Sequence, residues 1–249
     1  MIVTLPFRPP YRFHAVASFL GARAIDRFEW YDGTRYQRMG IVIELNGTSS
    51  LKMTAASKAD RLVVRARRTF DLDADPAVID AHLSRDRLLR PLLRSKPGPR
   101  VPGAWEPFEV AVRAIVGQQI SVRGATTIMN RLFASGRFDP SALGGMPGAR
   151  MNAIRTLARS LEKDPSILTR GATLDETIER LTALPGIGPW TAHYIAMRAL
   201  GERDAFPYTD LGLRKAAEAI GIDPAKLLDR AERWRPWRAY AAIALWESL

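Results

Sequence analysis

The sequence LTALPGIGPWTAHYIAMRAL at residues 181–200 decides how the surrounding chain folds. Pro185 and Gly186 are typical of the end of a helix. Gly188 permits a tight turn, and Pro189 suits the first position of the next helix because proline has no N–H to leave unpaired. The stretch therefore predicts a helix, a short hairpin loop and a second helix.

The hairpin loop has the features of an anion site. Gly186 and Gly188 carry no Cβ that would keep a phosphate away. The free amides that open the second helix lie at its positive end, where a DNA backbone phosphate would fit. The same glycines and prolines also suit an ordinary packing corner between two helices, so these residues alone leave both interpretations open.

Two aromatic residues and a carboxylate accompany the hairpin. Trp190 and Tyr194 are four residues apart on the second helix, so their rings share one face, and Asp210 follows twenty residues after Trp190. Aromatic rings can hold a base that has been flipped out of duplex DNA, and a cationic alkylated base gains about 0.5–2 kcal/mol per ring contact. A carboxylate can stabilise the oxocarbenium-like sugar and guide water. Asp210 also precedes the helical pattern LGLRKAAEAI, where an ordinary helix N-cap is the competing interpretation.

The string LPGIGPWTAHYIAMRAL followed by DAFPYTD resembles the signature of the helix-hairpin-helix DNA glycosylases, and more narrowly that of the bacterial inducible 3-methyladenine-DNA glycosylase II family. The N-terminal PPYRFHAVASFLGARA and the loop GQQIS are also similar to that family. The resemblance implies that Asp210 is the carboxylate that acts on the sugar, whereas Asp204 does not match the family position. It also implies that Phe19 and Trp246 join Trp190 and Tyr194 around the base pocket.

The resemblance assigns further residues to DNA contact. Gln118, Gln119 and Ile120 lie in a short loop between two predicted helices, where the family carries a side chain that fills the space left by the flipped base. Gln119 occupies this wedge position, with Ile120 as the alternative. Gly186 and Gly188 of the hairpin would bind the DNA backbone.

The resemblance also bears on reaction type and on bound ions. Bifunctional relatives carry a nucleophilic lysine at the position of Trp190, so no lyase activity is expected here. No cofactor is implied for catalysis. The family's hairpin often holds Na⁺ or K⁺ through main-chain carbonyls, which here would be those of Thr182, Leu184 and Gly186. His193 lies about 100° around the helix from Trp190, and packing is the simpler role for it.

Composition is consistent with a nucleic-acid-binding protein. Lys and Arg number 37 against 26 Asp and Glu, a formal net charge of +11. A protein with such a positive charge is suited to binding a polyanion such as DNA, although a generally arginine-rich composition would also produce this charge. The absence of cysteine excludes disulfides, thiolate zinc sites and iron–sulfur clusters. No pattern typical of a signal peptide or a membrane span is seen, so we expect a protein of the bacterial cytoplasm without a membrane partner. We also expect it to be a monomer. Its expected partner is double-stranded DNA that contains alkylated bases.

The chain predicts an α+β fold: an N-terminal antiparallel sheet with helices, followed by a mainly α-helical, two-lobed helix-hairpin-helix region. Residues 1–86 form the α+β domain, with hairpin turns at Asp32-Gly33 and Asn46-Gly47. The segment RLVVRARRTFDL, residues 61–72, is interpreted as a further strand. Its arginines, on a face that either is solvated or touches phosphate, are Arg65, Arg67 and Arg68.

A proline-rich and glycine-rich stretch separates this domain from the rest. Residues 87–104 are interpreted as a linker and the start of the helical region. Residues 105–203 form the helical domain that contains the hairpin, and residues 204–249 form a C-terminal helical lobe that the segment 75–100 joins.

These observations together predict a monofunctional DNA glycosylase. It would excise alkylated bases of the 3-methyladenine type, and 7-methylguanine, as the first step of base excision repair. Two alternatives remain at this stage: a glycosylase for oxidised or deaminated bases, and a non-catalytic DNA-binding protein in which Asp210 is dispensable.

Overall fold

The computed structural model describes residues 1–56 and 60–249. An N-terminal antiparallel sheet precedes a mainly helical region, which confirms the predicted α+β class. The five strands are β1 (Ile2–Pro6), β2 (Glu29–Tyr31), β3 (Arg35–Arg38), β4 (Ile41–Asn46) and β5 (Ser50–Thr54), in the spatial order β1-β5-β4-β3-β2. The helices are α1 (Phe13–Gly21), α2 (Asp60–Thr69), α3 (Pro76–Leu83), α4 (Arg90–Ser95), α5 (Pro107–Val116), α6 (Val122–Leu132), α7 (Gly148–Lys163), α8 (Leu174–Thr182), α9 (Pro189–Arg198), α10 (Leu211–Ala219), α11 (Leu227–Ala231) and α12 (Arg238–Trp246).

The sheet buries one face beneath helix α1. Tyr36, Ile43 and Met53 lie in neighbouring positions of adjacent strands and are fully buried. Both predicted hairpin turns are confirmed: Asp32-Gly33 joins β2 to β3, and Asn46-Gly47 joins β4 to β5. Alternation of buried and exposed residues along these strands therefore fixed which face meets the core.

The segment predicted as a strand at residues 61–72 is instead helix α2, so that prediction was wrong. Leu62, Ala66 and Thr69 recur at intervals of three and four residues, and this helical spacing buries Ala66 and Thr69. Phe70 then packs its ring against Phe13 of α1, with centroids 5.8 Å apart. The short apolar run Leu-Val-Val looked like a strand because it gives no clear period by itself.

The arginines of α2 contact the protein itself. Arg65 pairs with Glu106 at 2.7 Å, and Arg67 pairs with Asp73. The Arg68 guanidinium donates to the carbonyl of Ala199, at the far end of α9. Helix α2 therefore ties the sheet domain to the helical region.

The proline-rich segment is packed inside the molecule over its second half. Arg100 is buried, and its guanidinium donates to the carbonyls of Asp71 and Ala74, each at 2.9 Å. The guanidinium of Arg198 donates to the carbonyls of Pro102 and Gly103 at 2.6 and 3.1 Å. The domain boundaries given from the sequence stay a prediction. Two buried arginines, Arg100 and Arg198, connect this segment to its neighbours through hydrogen bonds.

Helix α9 lies at the centre of the helical region. Ala192, Ile195 and Ala196 on it are fully buried. Helix α8, which leads into the hairpin, begins as predicted at Thr173, whose Oγ1 accepts from the amide of Glu176 at 3.2 Å. Within the described residues, no helix is long and apolar enough to cross a membrane.

Candidate DNA and base-binding site

The hairpin is packed tightly on one side and open on the other. Gly186 has φ +83°, and a Cβ at this position would lie 2.6 Å from the Cβ of Ala153 on α7. Gly188 has no heavy atom within 4 Å of the corresponding point. The loop is therefore held against α7 at Gly186, while Gly188 leaves the start of α9 accessible to a ligand.

A neighbouring loop between α5 and α6 is tied to this hairpin. The side-chain amide of Gln118 donates to the carbonyl of Gly186 at 3.1 Å and to Thr191 Oγ1 at 2.9 Å. Gln119 is exposed and has φ +59°, a conformation that non-glycine residues adopt rarely. Ile120 beside it is 37% exposed. The loop thus presents two protruding side chains from a fixed base.

A groove runs between the two loops and leads into a deeper cavity. The groove encloses about 1160 Å³ and the cavity about 410 Å³. Phe19 comes from α1, Trp190 and Tyr194 from α9, and Trp246 from the end of α12. The residues that line the cavity include all five that the sequence placed at the base pocket and the catalytic position, namely Phe19, Trp190, Tyr194, Asp210 and Trp246.

Asp210 is held by three hydrogen bonds. Its Oδ2 accepts from the indole N–H of Trp190 at 3.0 Å. Its Oδ1 accepts from the indole N–H of Trp246 at 2.9 Å and from the amide of Leu213 at 3.0 Å. The bond to Leu213 is the N-cap of α10, so the cap and the site position belong to the same residue. The two indoles leave this carboxylate little rotational freedom.

The aromatic rings form a continuous wall beside the carboxylate. Trp190 and Tyr194 stack with centroids 5.4 Å apart and planes inclined by 22°. Trp246 meets Tyr194 edge-on at 6.4 Å. Such a surface can accommodate a planar base, and Asp210 lies beside it, hydrogen-bonded to both Trp190 and Trp246.

Comparison of the sequence with known proteins identifies the family of this chain. A family model described as the AlkA N-terminal domain matches residues 2–106. A protein of Escherichia coli (strain K12) named DNA-3-methyladenine glycosylase 2 is 30% identical, over 98% of this chain and 96% of its own length. The chain belongs to the AlkA family.

A second relative by sequence and one relative by fold are also similar to this chain. A Mycobacterium tuberculosis protein named probable bifunctional transcriptional activator/DNA repair enzyme AlkA is 37% identical over 98% of this chain. The chain spans 56% of the length of that relative. The structure of a 3-methyladenine DNA-glycosylase from Archaeoglobus fulgidus superposes with a TM-score of 0.80 at 17% identity, covering 98% of this chain and 97% of that one, which shows a shared fold.

The cavity beside Asp210 is also lined by charged residues that were not predicted from the sequence. Arg23 and Arg113 line it, and the Arg23 guanidinium carbon lies 3.6 Å from the ring centroid of Phe19. Arg198 donates from Nη1 to the Tyr194 hydroxyl at 3.0 Å. Arg113 interrupts an otherwise apolar helix, AVRAIV, and a charge in such a run was the available signal.

Burial and charge act in opposite directions on these groups. Burial alone would raise the pKa of Tyr194, but Arg198, Arg23 and Arg113 outweigh it and lower that pKa to about 8. Burial lowers the pKa of the Arg113 guanidinium to about 10. The inner end of the cavity is therefore strongly cationic.

Two further polar residues of the hairpin region lie outside the cavity lining. Asp204 pairs with Arg235 at 2.7 Å and with Arg238 at 2.9 Å. His193 Nδ1 accepts from the amide of Phe206 at 3.2 Å, and burial lowers the pKa of this imidazole to about 4. Both residues have structural partners. Of the two acids that line the cavity, Glu247 pairs with Arg12, whereas Asp210 is hydrogen-bonded to Trp190 and Trp246 of the aromatic wall.

Proposed function

We propose that the protein is a monofunctional DNA glycosylase that removes alkylated bases of the 3-methyladenine type, and 7-methylguanine, from duplex DNA. One observation carries the proposal: a carboxylate, Asp210, is fixed by two indole donors at one end of an aromatic cavity. The name of the E. coli relative, DNA-3-methyladenine glycosylase 2, supports the same reaction class.

The proposed reaction is hydrolysis of the bond between the sugar C1′ and the base nitrogen. The flipped base lies against Trp190 and Tyr194, and the electron pair of the breaking bond stays with the base. Positive charge develops on the sugar, where the Asp210 carboxylate stabilises it and receives a proton from the attacking water. A base that alkylation has made cationic leaves as a neutral molecule, so it requires no general acid.

DNA would be held by the two loops that flank the groove. The amides at the start of α9, next to Gly186 and Gly188, would bind a backbone phosphate, since the Gly188 position is sterically open. Gln119, or Ile120 beside it, would fill the space that the flipped base leaves. Gln118 couples the two loops, because its side chain bonds to the hairpin from the wedge loop.

No cofactor is needed in this scheme, but the hairpin suits a structural monovalent cation. The carbonyls proposed to bind Na⁺ or K⁺ are those of Thr182, Leu184 and Gly186. The Leu184 carbonyl accepts one bond from Ile187 N at 3.1 Å, and that of Gly186 accepts one from Gln118. A carbonyl oxygen has two lone pairs, so a cation could bind at the second.

Absence of lyase activity is part of the proposal. A lyase needs an amine that attacks the sugar, and Trp190 occupies the position that the family resemblance assigns to that lysine. Of the described residues that line the cavity, none is a lysine. We further propose that the protein acts as a monomer in the bacterial cytoplasm, where its net charge of +11 favours association with DNA.

The test uses a duplex oligonucleotide with a single 7-methylguanine and a second one carrying 3-methyladenine. Incubation with the protein should release the free bases and leave an abasic strand that breaks only after alkali treatment. Release of neither base would refute the glycosylase proposal and favour a non-catalytic DNA-binding role. Strand cleavage before alkali treatment would refute the monofunctional part alone.

A further inference from the structure

Arg150 lies where the local physics of a helix does not favour a cation. It is the third residue of α7 (Gly148–Lys163), and no acidic residue lies in the first turn of that helix. The N-terminal end of a helix carries partial positive charge, which repels a guanidinium. A residue that departs from a local preference in this way is expected to have another contact or role.

That contact is with the loop between α5 and α6, residues 117–121, which we call the wedge loop. The Arg150 guanidinium donates from Nη2 to the main-chain carbonyl of Gln118. Within residues 1–56 and 60–249, no backbone amide donates to this carbonyl, and Arg150 forms no ion pair with an acidic side chain. The bond from Arg150 is therefore what holds this peptide group, and its charged donor makes it a strong bond.

The peptide group held by Arg150 directly precedes Gln119. Gln119 has φ +59°, and this angle describes the rotation about the bond that follows the held peptide group. A non-glycine residue keeps such a left-handed conformation only where the surrounding structure fixes it. Arg150 supplies that constraint, so loss of its bond would let the loop relax and would release Gln119 and Ile120 from their present positions.

Helix α7 holds the hairpin as well as the wedge loop. Ala153, three residues after Arg150, lies so close to Gly186 that a Cβ on this glycine would come within 2.6 Å of the Ala153 Cβ. The side-chain amide of Gln118 completes the arrangement by donating to the Gly186 carbonyl at 3.1 Å. The same helix therefore sets the hairpin and the wedge loop at a fixed distance from each other.

A fixed distance between the two loops matters for flipping a base. A phosphate bound at the hairpin fixes the DNA backbone relative to α9, and the wedge must then enter the base stack at a defined distance from that phosphate. Taking the base out of the duplex costs unpairing and unstacking energy, which a wedge offsets only if it is already in position. A loop that had to be ordered during this step would add the entropy of ordering to the barrier.

We propose that Arg150 is a positioning residue for base flipping: it fixes the peptide group between Gln118 and Gln119, and through it the wedge, at the distance from the hairpin that insertion into the duplex requires. This inference rests on the proposed glycosylase function. Arg150 is not among the described residues that line the base cavity, so its contribution ends once the base has been flipped. Hydrolysis beside Asp210 does not involve it.

The experiment compares single-turnover release of 7-methylguanine from two duplexes. In one the damaged base is paired with cytosine, and in the other it lies opposite an abasic-site analogue, where no base pair has to be broken. Arg150→Met keeps the length of the side chain and removes its donors. We expect release from the paired duplex to fall about tenfold, the effect of losing one hydrogen bond from a charged group, and release from the other duplex to fall by less than about threefold.

Two further variants make the comparison specific. Arg150→Lys keeps a charged donor and should recover most of the rate on the paired duplex. Arg155→Met removes an exposed arginine of the same helix that forms no hydrogen bond to the wedge loop in the described part of the chain, and it should leave the ratio of the two rates as in the wild type. Equal slowing of both duplexes by Arg150→Met would assign Arg150 to general stability and overturn the proposal, and so would a lysine variant as slow as the methionine variant.

A direct DNA contact is the competing role for Arg150. Removal of an arginine that binds a phosphate would weaken binding to undamaged duplex and would reduce the slope of log Kd against log salt concentration by about one. If Arg150 positions the wedge instead, Arg150→Met should bind undamaged duplex within about twofold of the wild type and with the same slope. A reduced slope would overturn the proposal.

The outcomes separate this inference from the function on which it rests. If the wild type releases 7-methylguanine from both duplexes and Arg150→Met does so at the same rates, the glycosylase proposal stands and the role of Arg150 is refuted. If the wild type releases the base from neither duplex, the glycosylase proposal itself has failed.

Discussion

Replacement of Gly186 by alanine should destabilise the protein far more than the same change at Gly188, two residues away. At Gly186 the backbone has φ +83°, and the new Cβ would lie 2.6 Å from the Cβ of Ala153. The left-handed conformation costs an alanine about 1–2 kcal/mol and the overpacking about 1–3 kcal/mol, so Gly186→Ala should lower the free energy of unfolding by about 2–5 kcal/mol. At Gly188 nothing lies within 4 Å and φ is −84°, so Gly188→Ala should cost no more than about 1 kcal/mol, which reflects only the preference for glycine over alanine at the N-cap of α9.

Thermal and urea unfolding of the two variants measures this difference. In a protein of this size each kcal/mol shifts Tm by about 2–4 °C, so Gly186→Ala should melt about 4–20 °C below the wild type. Gly188→Ala should melt close to the wild type yet bind DNA more weakly, because its methyl group would face the phosphate. Equal stability of the two variants would refute the argument that Gly186 is the tightly packed point of the hairpin.

Three further results follow from the same geometry. Trp246→Phe keeps an aromatic ring but removes one of the three donors to Asp210, and single-turnover excision should fall about tenfold, or about 1.4 kcal/mol, at unchanged DNA affinity. The buried carboxylate of Asp86 accepts from Arg230 and Trp234, and Asp86→Asn should lower the free energy of unfolding by about 1.5–3 kcal/mol. Burial raises the pKa of Asp86, but the hydrogen bonds from Arg230 and Trp234 outweigh it and lower that pKa below its ordinary value. The stabilisation is therefore present above about pH 4 and is lost as the pH falls through the lowered pKa. Urea unfolding at a series of pH values should show the stabilities of wild type and variant approaching each other below about pH 4. Affinity for undamaged duplex should fall steeply between 50 and 200 mM salt, roughly 10³- to 10⁵-fold if six to ten phosphates are contacted, and a flat dependence would contradict phosphate binding.

Sequence reasoning located the fold and the wall of the cavity because local patterns determine both. The spacing of glycine and proline around residues 185–189 specifies the hairpin. The four-residue interval from Trp190 to Tyr194 specifies a shared helix face, and the structure stacks the two rings. The interval to Asp210 was informative only through family resemblance, because an aspartate before a helix is an equally good N-cap.

What the sequence could not supply are contacts between distant parts of the chain. The bond from Trp246 to Asp210 spans 36 residues, and the convergence of Arg23, Arg113 and Arg198 on Tyr194 depends on three separate elements. The error at residues 61–72 has a different origin: a short apolar run has no period of its own, and the helix is recognised only from the packing that buries Ala66 and Thr69 on one of its faces. For Asp210 the two interpretations, helix N-cap and cavity carboxylate, do not exclude each other: the same side chain caps α10 and lines the cavity.

The measurement that most directly tests the central claim is base release by Asp210→Asn. Asparagine is as good an N-cap as aspartate, so α10 should remain intact and the variant should bind DNA as the wild type does. Without the negative charge beside the sugar, single-turnover release of 3-methyladenine and 7-methylguanine should fall by about 10²- to 10³-fold. Release at the wild-type rate, with unchanged DNA binding, would contradict the claim that the glycosidic bond breaks beside Asp210.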